Sequence, residues 1–166
     1  MRKYFFFTFI IALLSFNAQA QNEKLEATYI YNFIKYVNWP ESAKSGDFVI
    51  GVLGASGVTL ELRKLALTKK AMSQKISVVE FSSTNDITKC HILFVTRMAS
   101  GTIKEAVAKV SNNPTLIVSE FPGLASQGSG INFITKDGKL TFQMNETAIK
   151  RYGLQVSSQL LELSVE

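Results

Sequence analysis

The chain's one histidine and one cysteine, His91 and Cys90, are neighbours. Any Ser-His-Asp or Cys-His mechanism must draw on His91. The two open an apolar run, residues 90–95, that reads as a strand. Side chains alternate along a strand, so this pair points to opposite faces and cannot form a dyad. His91 therefore reads as a structural histidine at a strand end, and Cys90 as a buried, inert thiol. One cysteine excludes an intramolecular disulfide. It also excludes a Cys/His zinc site or an iron–sulfur site within one chain. Gly51, Gly54 and Gly57 fall three apart between a strand pattern and a helix pattern. A dinucleotide fingerprint places glycines there so that the backbone can approach a pyrophosphate. The spacing here is G-x-x-G-x-x-G rather than G-x-G-x-x-G, and Gly51 falls inside the strand. The ordinary reading is a tight strand-to-helix turn, with a weaker anion site at residues 55–58 left open. Carboxylates such as Glu61 and Glu80 show no spacing that spells a hydrolase, a transferase or a metal site. No cofactor is expected.

The elements that must hold these residues alternate. Residues 22–37 read as an amphipathic helix with Leu25, Tyr29, Ile30, Phe33, Ile34 and Val37 on its apolar stripe. Trp39-Pro40 stops it. Strands are expected at 48–53, 75–81, 90–95 and 115–119, with helices at 58–67 and 100–110. Ser100 is placed to cap the second of these helices. Asp137-Gly138 predicts a hairpin between 131–135 and 139–142. Asn145 caps a helix that Gly153 ends, and Ser157 and Ser158 start a last short one. The expected fold is α/β: a single layered domain. Its mostly parallel sheet has about six strands, helices on both faces and an antiparallel edge hairpin.

Arg2 and Lys3 precede an apolar run, Tyr4–Phe16, and Ala18-Gln19-Ala20 is an A-x-A box. These parts in this order read as a signal peptide, residues 1–20, cleaved between Ala20 and Gln21. The run is shorter than the roughly 20 residues a membrane span needs. Residues 21–166 are then expected as one exported domain, without membrane insertion after cleavage. Loss of Arg2 and Lys3 lowers Lys+Arg from 18 to 16 against 13 Asp+Glu, a net +3. A charge so small and scattered does not suit a nucleic-acid partner.

Ligands of open parallel sheets bind beyond the carboxyl ends of the strands. The loops at 54–57 and 120–130 are therefore the pocket positions, with Gly54, Ser56, Gly57, Glu120 and Ser129 as ligand-pocket residues. The aromatics from Tyr29 to Trp39 exceed what one helix face needs. The surplus suits a partner surface or a homodimer.

The segment Tyr29-Ile-Tyr-Asn-Phe-Ile-Lys-Tyr-Val-Asn-Trp-Pro40 resembles the opening signature of the YfiR-like (YfiR/HmsC) family of small exported bacterial proteins. Residues 90–95, 114–133 and 142–161 agree in order and spacing, so the resemblance spans residues 25–163. One departure is the cysteine count. Some members carry paired cysteines, and this chain has only Cys90. The resemblance implies a periplasmic, non-enzymatic regulator. It would bind and repress the sensor domain of an inner-membrane signalling protein, typically a diguanylate cyclase, and so control cyclic di-GMP and biofilm formation. A histidine kinase sensor is the other membrane partner that fits. The partner surface is expected at Trp39, Leu154, Val156, Leu160, Leu161 and Leu163. A periplasmic small-molecule-binding module is the alternative function.

Overall fold

The computed structural model describes residues 20–165. The expected export signal lies outside these residues except for Ala20, which is helical and exposed, as is Gln21.

Residues 20–36 are helical (α1). The buried stripe of α1 is Glu26, Ala27, Ile30, Phe33 and Ile34, at the three- and four-residue spacing that one helix face requires. The expected stripe holds at Ile30, Phe33, Ile34 and Val37, with Tyr29 half-buried. Leu25 alone departs from it at 40% exposed, and Glu26 is buried beside the stripe at 6%. Phe33 meets Phe142 edge-on at 5.2 Å between centroids, and Tyr29 meets it at 5.7 Å. With those rings seated on the sheet, the residue one turn before Ile30 also faces inward.

Among the described residues nine strands form two sheets. The strands are β1 (Val37–Asn38), β2 (Phe48–Leu53), β3 (Lys70–Ala71), β4 (Gln74–Phe81), β5 (Ile92–Val95), β6 (Leu116–Ser119), β7 (Ile131–Lys136), β8 (Lys139–Met144) and β9 (Gln155–Val156). The large sheet has the order β3-β4-β2-β5-β6-β7-β8. Its central pairings are parallel, and β3–β4 and β7–β8 are antiparallel. The helices are α2 (Val58–Thr68), α3 (Ile103–Val110), α4 (Glu146–Arg151) and α5 (Ser158–Leu163). The chain is thus α/β, with a seven-stranded, mostly parallel sheet and an antiparallel edge hairpin. From β2 the chain crosses by α2 to β4 on one side. From β5 it crosses by α3 to β6 on the other. Right-handed crossovers in opposite directions put α2 and α3 on opposite faces. They also make the carboxyl ends of β2 and β5 the switch point of the sheet.

Local chemistry sets the boundaries. Asp137 and Gly138 have φ of 51° and 72°, the positive angles of the two-residue hairpin turn. The Asn145 side chain accepts from the Ala148 N–H, and the Ser157 side chain from the Leu160 N–H. Ser100 is not a cap. The Ala99 N–H bonds to the Thr96 carbonyl at 3.0 Å, which starts a 3₁₀ turn over Arg97–Thr102, and α3 begins only at Ile103. The expected third strand is shorter, Ile92–Val95, because Cys90 and His91 precede the ladder. The small sheet was not expected. In it β1 pairs antiparallel with β9, Val37 opposite Val156, and ties the Trp39-Pro40 corner to the C-terminal segment.

Candidate functional site

His91 is buried between β5 and the turn at Ala43. Its Nδ1 accepts from the Val49 N–H at 2.9 Å, and its Nε2–H donates to the Ala43 carbonyl at 2.8 Å. These two bonds fix one tautomer. The ring stacks on Phe48 at 4.4 Å, and burial lowers its pKa below the usual histidine value. Both nitrogens are committed to backbone, so the ring holds no lone pair for a substrate. Cys90 faces the other way, towards Gly51, and burial pushes its thiol up to about 12. It stays an un-ionised thiol in ordinary buffers.

Each of the three glycines has a packing reason. A Cβ at Gly51 would stand 2.5 Å from the Phe81 ring and 3.3 Å from the Cys90 sulfur. Gly54 has φ +88°, and a Cβ there would meet the Thr96 hydroxyl at 2.5 Å. A Cβ at Gly57 would overlap the Glu23 carboxylate. The Ser56 hydroxyl accepts from the Val58 N–H at 3.2 Å and closes the turn locally. Close approach of side chains, rather than of a phosphate, therefore explains the spacing. The expected result for Gly51→Ala is a loss of about 1–3 kcal/mol, the usual cost of overpacking a filled core. Urea unfolding of the variant against wild type reads it. Glu61 and Glu80 do not form a catalytic pair. Lys64 holds the first at 2.6 Å and Arg63 the second at 2.8 Å.

The carboxyl ends of the strands carry two cavities. One, of about 730 Å³, sits at the β2/β5 switch point against Gly54, Ser83 and Ala99. The other, of about 330 Å³, lies under the start of α1 and is walled by Glu23, Glu26, Arg97, Glu120, Phe133 and Leu140. The expected pocket residues thus divide. Gly54 belongs to the first cavity and Glu120 to the second, with Gly57 behind the Glu23 carboxylate. Ser129 belongs to neither. It is fully buried, accepts from the Ser119 hydroxyl at 2.8 Å and donates to the Ile131 carbonyl at 2.7 Å. Asn132 pins the loop above it. Its side chain accepts from the Leu124 N–H and donates to the Ser119 and Phe121 carbonyls.

Glu26 is the residue the sequence reading missed. Burial, with Glu120 and Glu23 adding negative charge nearby, pushes its carboxyl up to about 8, against a smaller opposing pull from Arg97. It is therefore a neutral acid at pH 7. The Glu120 carboxylate accepts from the Arg97 backbone N–H at 2.9 Å, and the Arg97 guanidinium lies 5.4 Å from the centre of the Phe121 ring. A signal for Glu26 was present in the sequence. It stands four before Ile30 and seven before Phe33, so a carboxylate falls on an apolar stripe.

The C-terminal set also divides by burial. Trp39, Leu154 and Leu160 are 1–2% exposed and serve the core. The Trp39 Nε1–H donates to the Ile34 carbonyl at 3.1 Å, and its ring meets Phe48 edge-on at 5.1 Å. Val156 and Leu161 are half-buried, and Leu163 is 59% exposed. Val156 borders two grooves of about 320 and 330 Å³, one beside Leu161 and one beside Tyr36 and Met72. Through β1 and β9, the aromatic signature and the C-terminal segment form one surface.

Among the described residues, no helix is long and apolar enough to cross a membrane. The sequence profile of the family described as YfiR/HmsC-like matches residues 23–165. No curated protein matches the chain.

Proposed function

The chain belongs to the YfiR/HmsC-like family, and from that premise we propose that it is a non-enzymatic periplasmic regulator of cyclic di-GMP signalling. It is exported by a signal peptide cleaved after Ala20. It binds the periplasmic sensor domain of an inner-membrane diguanylate cyclase and holds that enzyme off. The family match over residues 23–165 is the observation that carries this reading. The mechanism is differential affinity, because a ligand shifts a two-state partner only by binding one state better. Reversing a partner from 99% on to 99% off takes about 5.5 kcal/mol of that difference.

The surface is the C-terminal segment where it meets β1. Leu163 supplies its exposed apolar side chain, with Val156 and Leu161 at the groove edges and Met72 beside them, 57% exposed. Trp39, Leu154 and Leu160 support it from below. Leu163→Glu is expected to fold normally, since a substitution at an exposed position stays within about 0.5 kcal/mol. It is expected to lose the partner. Crosslinking in the periplasm, followed by purification from solubilised membranes, checks this. Wild type should retain an inner-membrane protein with a periplasmic sensor domain and a cytoplasmic cyclase domain, and Leu163→Glu should not. Equal recovery with both proteins would remove this surface. Recovery of no membrane protein would remove the regulator reading.

A further inference from the structure

The cavity under α1 has no part in the partner surface, and its chemistry is of another kind. Three acidic residues line it from two elements: Glu23 and Glu26 from α1 and Glu120 from the end of β6. The charged groups facing Glu26 are Glu23 on its own helix, Glu120, and Arg97 beyond β5. The strands β7 and β8 bring only uncharged side chains to the wall, Phe133 and Leu140 among them. Glu26 is 94% buried by its 6% exposure, lines the cavity, and has no hydrogen-bond partner among the described residues. Its carboxyl oxygens are not sealed off, so water in the cavity is the hydrogen-bond partner left to them. A cationic donor in the cavity would replace that water and offset the negative field of Glu23 and Glu120. The opposite wall is apolar, which suits a body of CH₂ groups. Metal ions are a poor match: among the described residues no group of three or more His, Cys, Asp or Glu side chains is placed to hold one.

We propose that this cavity is a binding site for a small primary amine, whose ammonium group is held by Glu26 in the negative field of Glu23 and Glu120 and whose short alkyl body lies on Phe133 and Leu140. At pH 7 the Glu26 carboxyl is neutral, so an incoming ammonium displaces its proton. Binding and ionisation are linked. The dissociation constant falls by up to about tenfold per pH unit as pH rises towards 8. One proton leaves for each amine bound.

Titration calorimetry on the protein purified from the periplasm tests this with n-pentylamine as the probe and 1-pentanol as its neutral counterpart. At pH 7 the amine should bind and the alcohol should not. The observed heat should differ between two buffers of unlike ionisation enthalpy by close to one proton per site. Glu26→Gln keeps the shape of the neutral acid but cannot ionise. It should bind at least about tenfold more weakly and release no proton, a loss typical of removing one charged partner. Glu120→Gln, at a half-buried position, should weaken binding with the proton release kept. The proposal is overturned if the amine fails to bind at millimolar concentration at both pH 7 and pH 8. Equal binding of 1-pentanol, or amine binding unaffected by both substitutions, would overturn it as well. None of these results touches the regulator reading, which rests on a different surface.

Discussion

Glu26→Gln is expected to make the protein markedly more stable at pH 8.5 and to change it little at pH 4.5. The native state holds the Glu26 carboxyl at about 8, against 4.5 for the ordinary group. Between those values the unfolded chain gives up its proton and the native state keeps it. The native state then binds more protons, so stability is complete below the unfolded value and drains away as pH rises to the native one. Each pH unit between the two values removes about 1.4 kcal/mol, which puts the loss on the order of 3–5 kcal/mol across the window. Burial is the main cause, with Glu120 and Glu23 next and Arg97 in opposition. Glutamine cannot titrate, so the variant should lack this alkaline decline. Urea unfolding at both pH values measures it. Parallel pH dependence in wild type and variant would show that Glu26 is not the buried acid described.

The second large effect is expected at His91. His91→Ala removes a buried ring from its stack on Phe48 and strands the Val49 N–H and the Ala43 carbonyl. An emptied aromatic site and two orphaned backbone groups together cost about 3–5 kcal/mol. His91→Phe separates the two parts, since it keeps a ring against Phe48 but neither bond. Burial also holds the native His91 pKa below its ordinary 6.5. Below that value the unfolded chain takes up a proton that the native state refuses, so this contribution is whole above about pH 6.5 and lost as pH falls. Wild type should therefore weaken on acidification, and His91→Phe should lack that limb. An acid limb that persists in His91→Phe would assign the effect to another group.

The parallel strands were legible because their apolar runs are continuous, as for 48–53 and 115–119, and a sheet covered on both faces demands that. The hairpin was legible because Asp137-Gly138 can take the two positive φ angles that the turn requires. The pairing of β1 with β9 was not. Two-residue strands carry no period, and that contact depends on where α1 delivers Val37. The exchange of Leu25 for Glu26 at the start of α1 was missed for a related reason. The two lie about 100° apart on the helix, and hydrophobicity alone favours burying Leu25, yet Leu25 is 40% exposed and Glu26 is buried. The same inversion hid the acidic cavity, since a pocket sought on the strand loops lies partly under a helix. Sequence placed Glu120 and Gly57 near one another by topology. It could not place Glu23 and Glu26 against them.

The central claim is that this protein represses a cyclic di-GMP synthase across the inner membrane. Cellular cyclic di-GMP in a strain deleted for the protein tests it most directly. The account predicts a rise on deletion, reversed by the exported wild-type chain. Leu163→Glu, or a chain lacking residues 1–20, should not reverse it. A level unchanged by deletion would contradict the account.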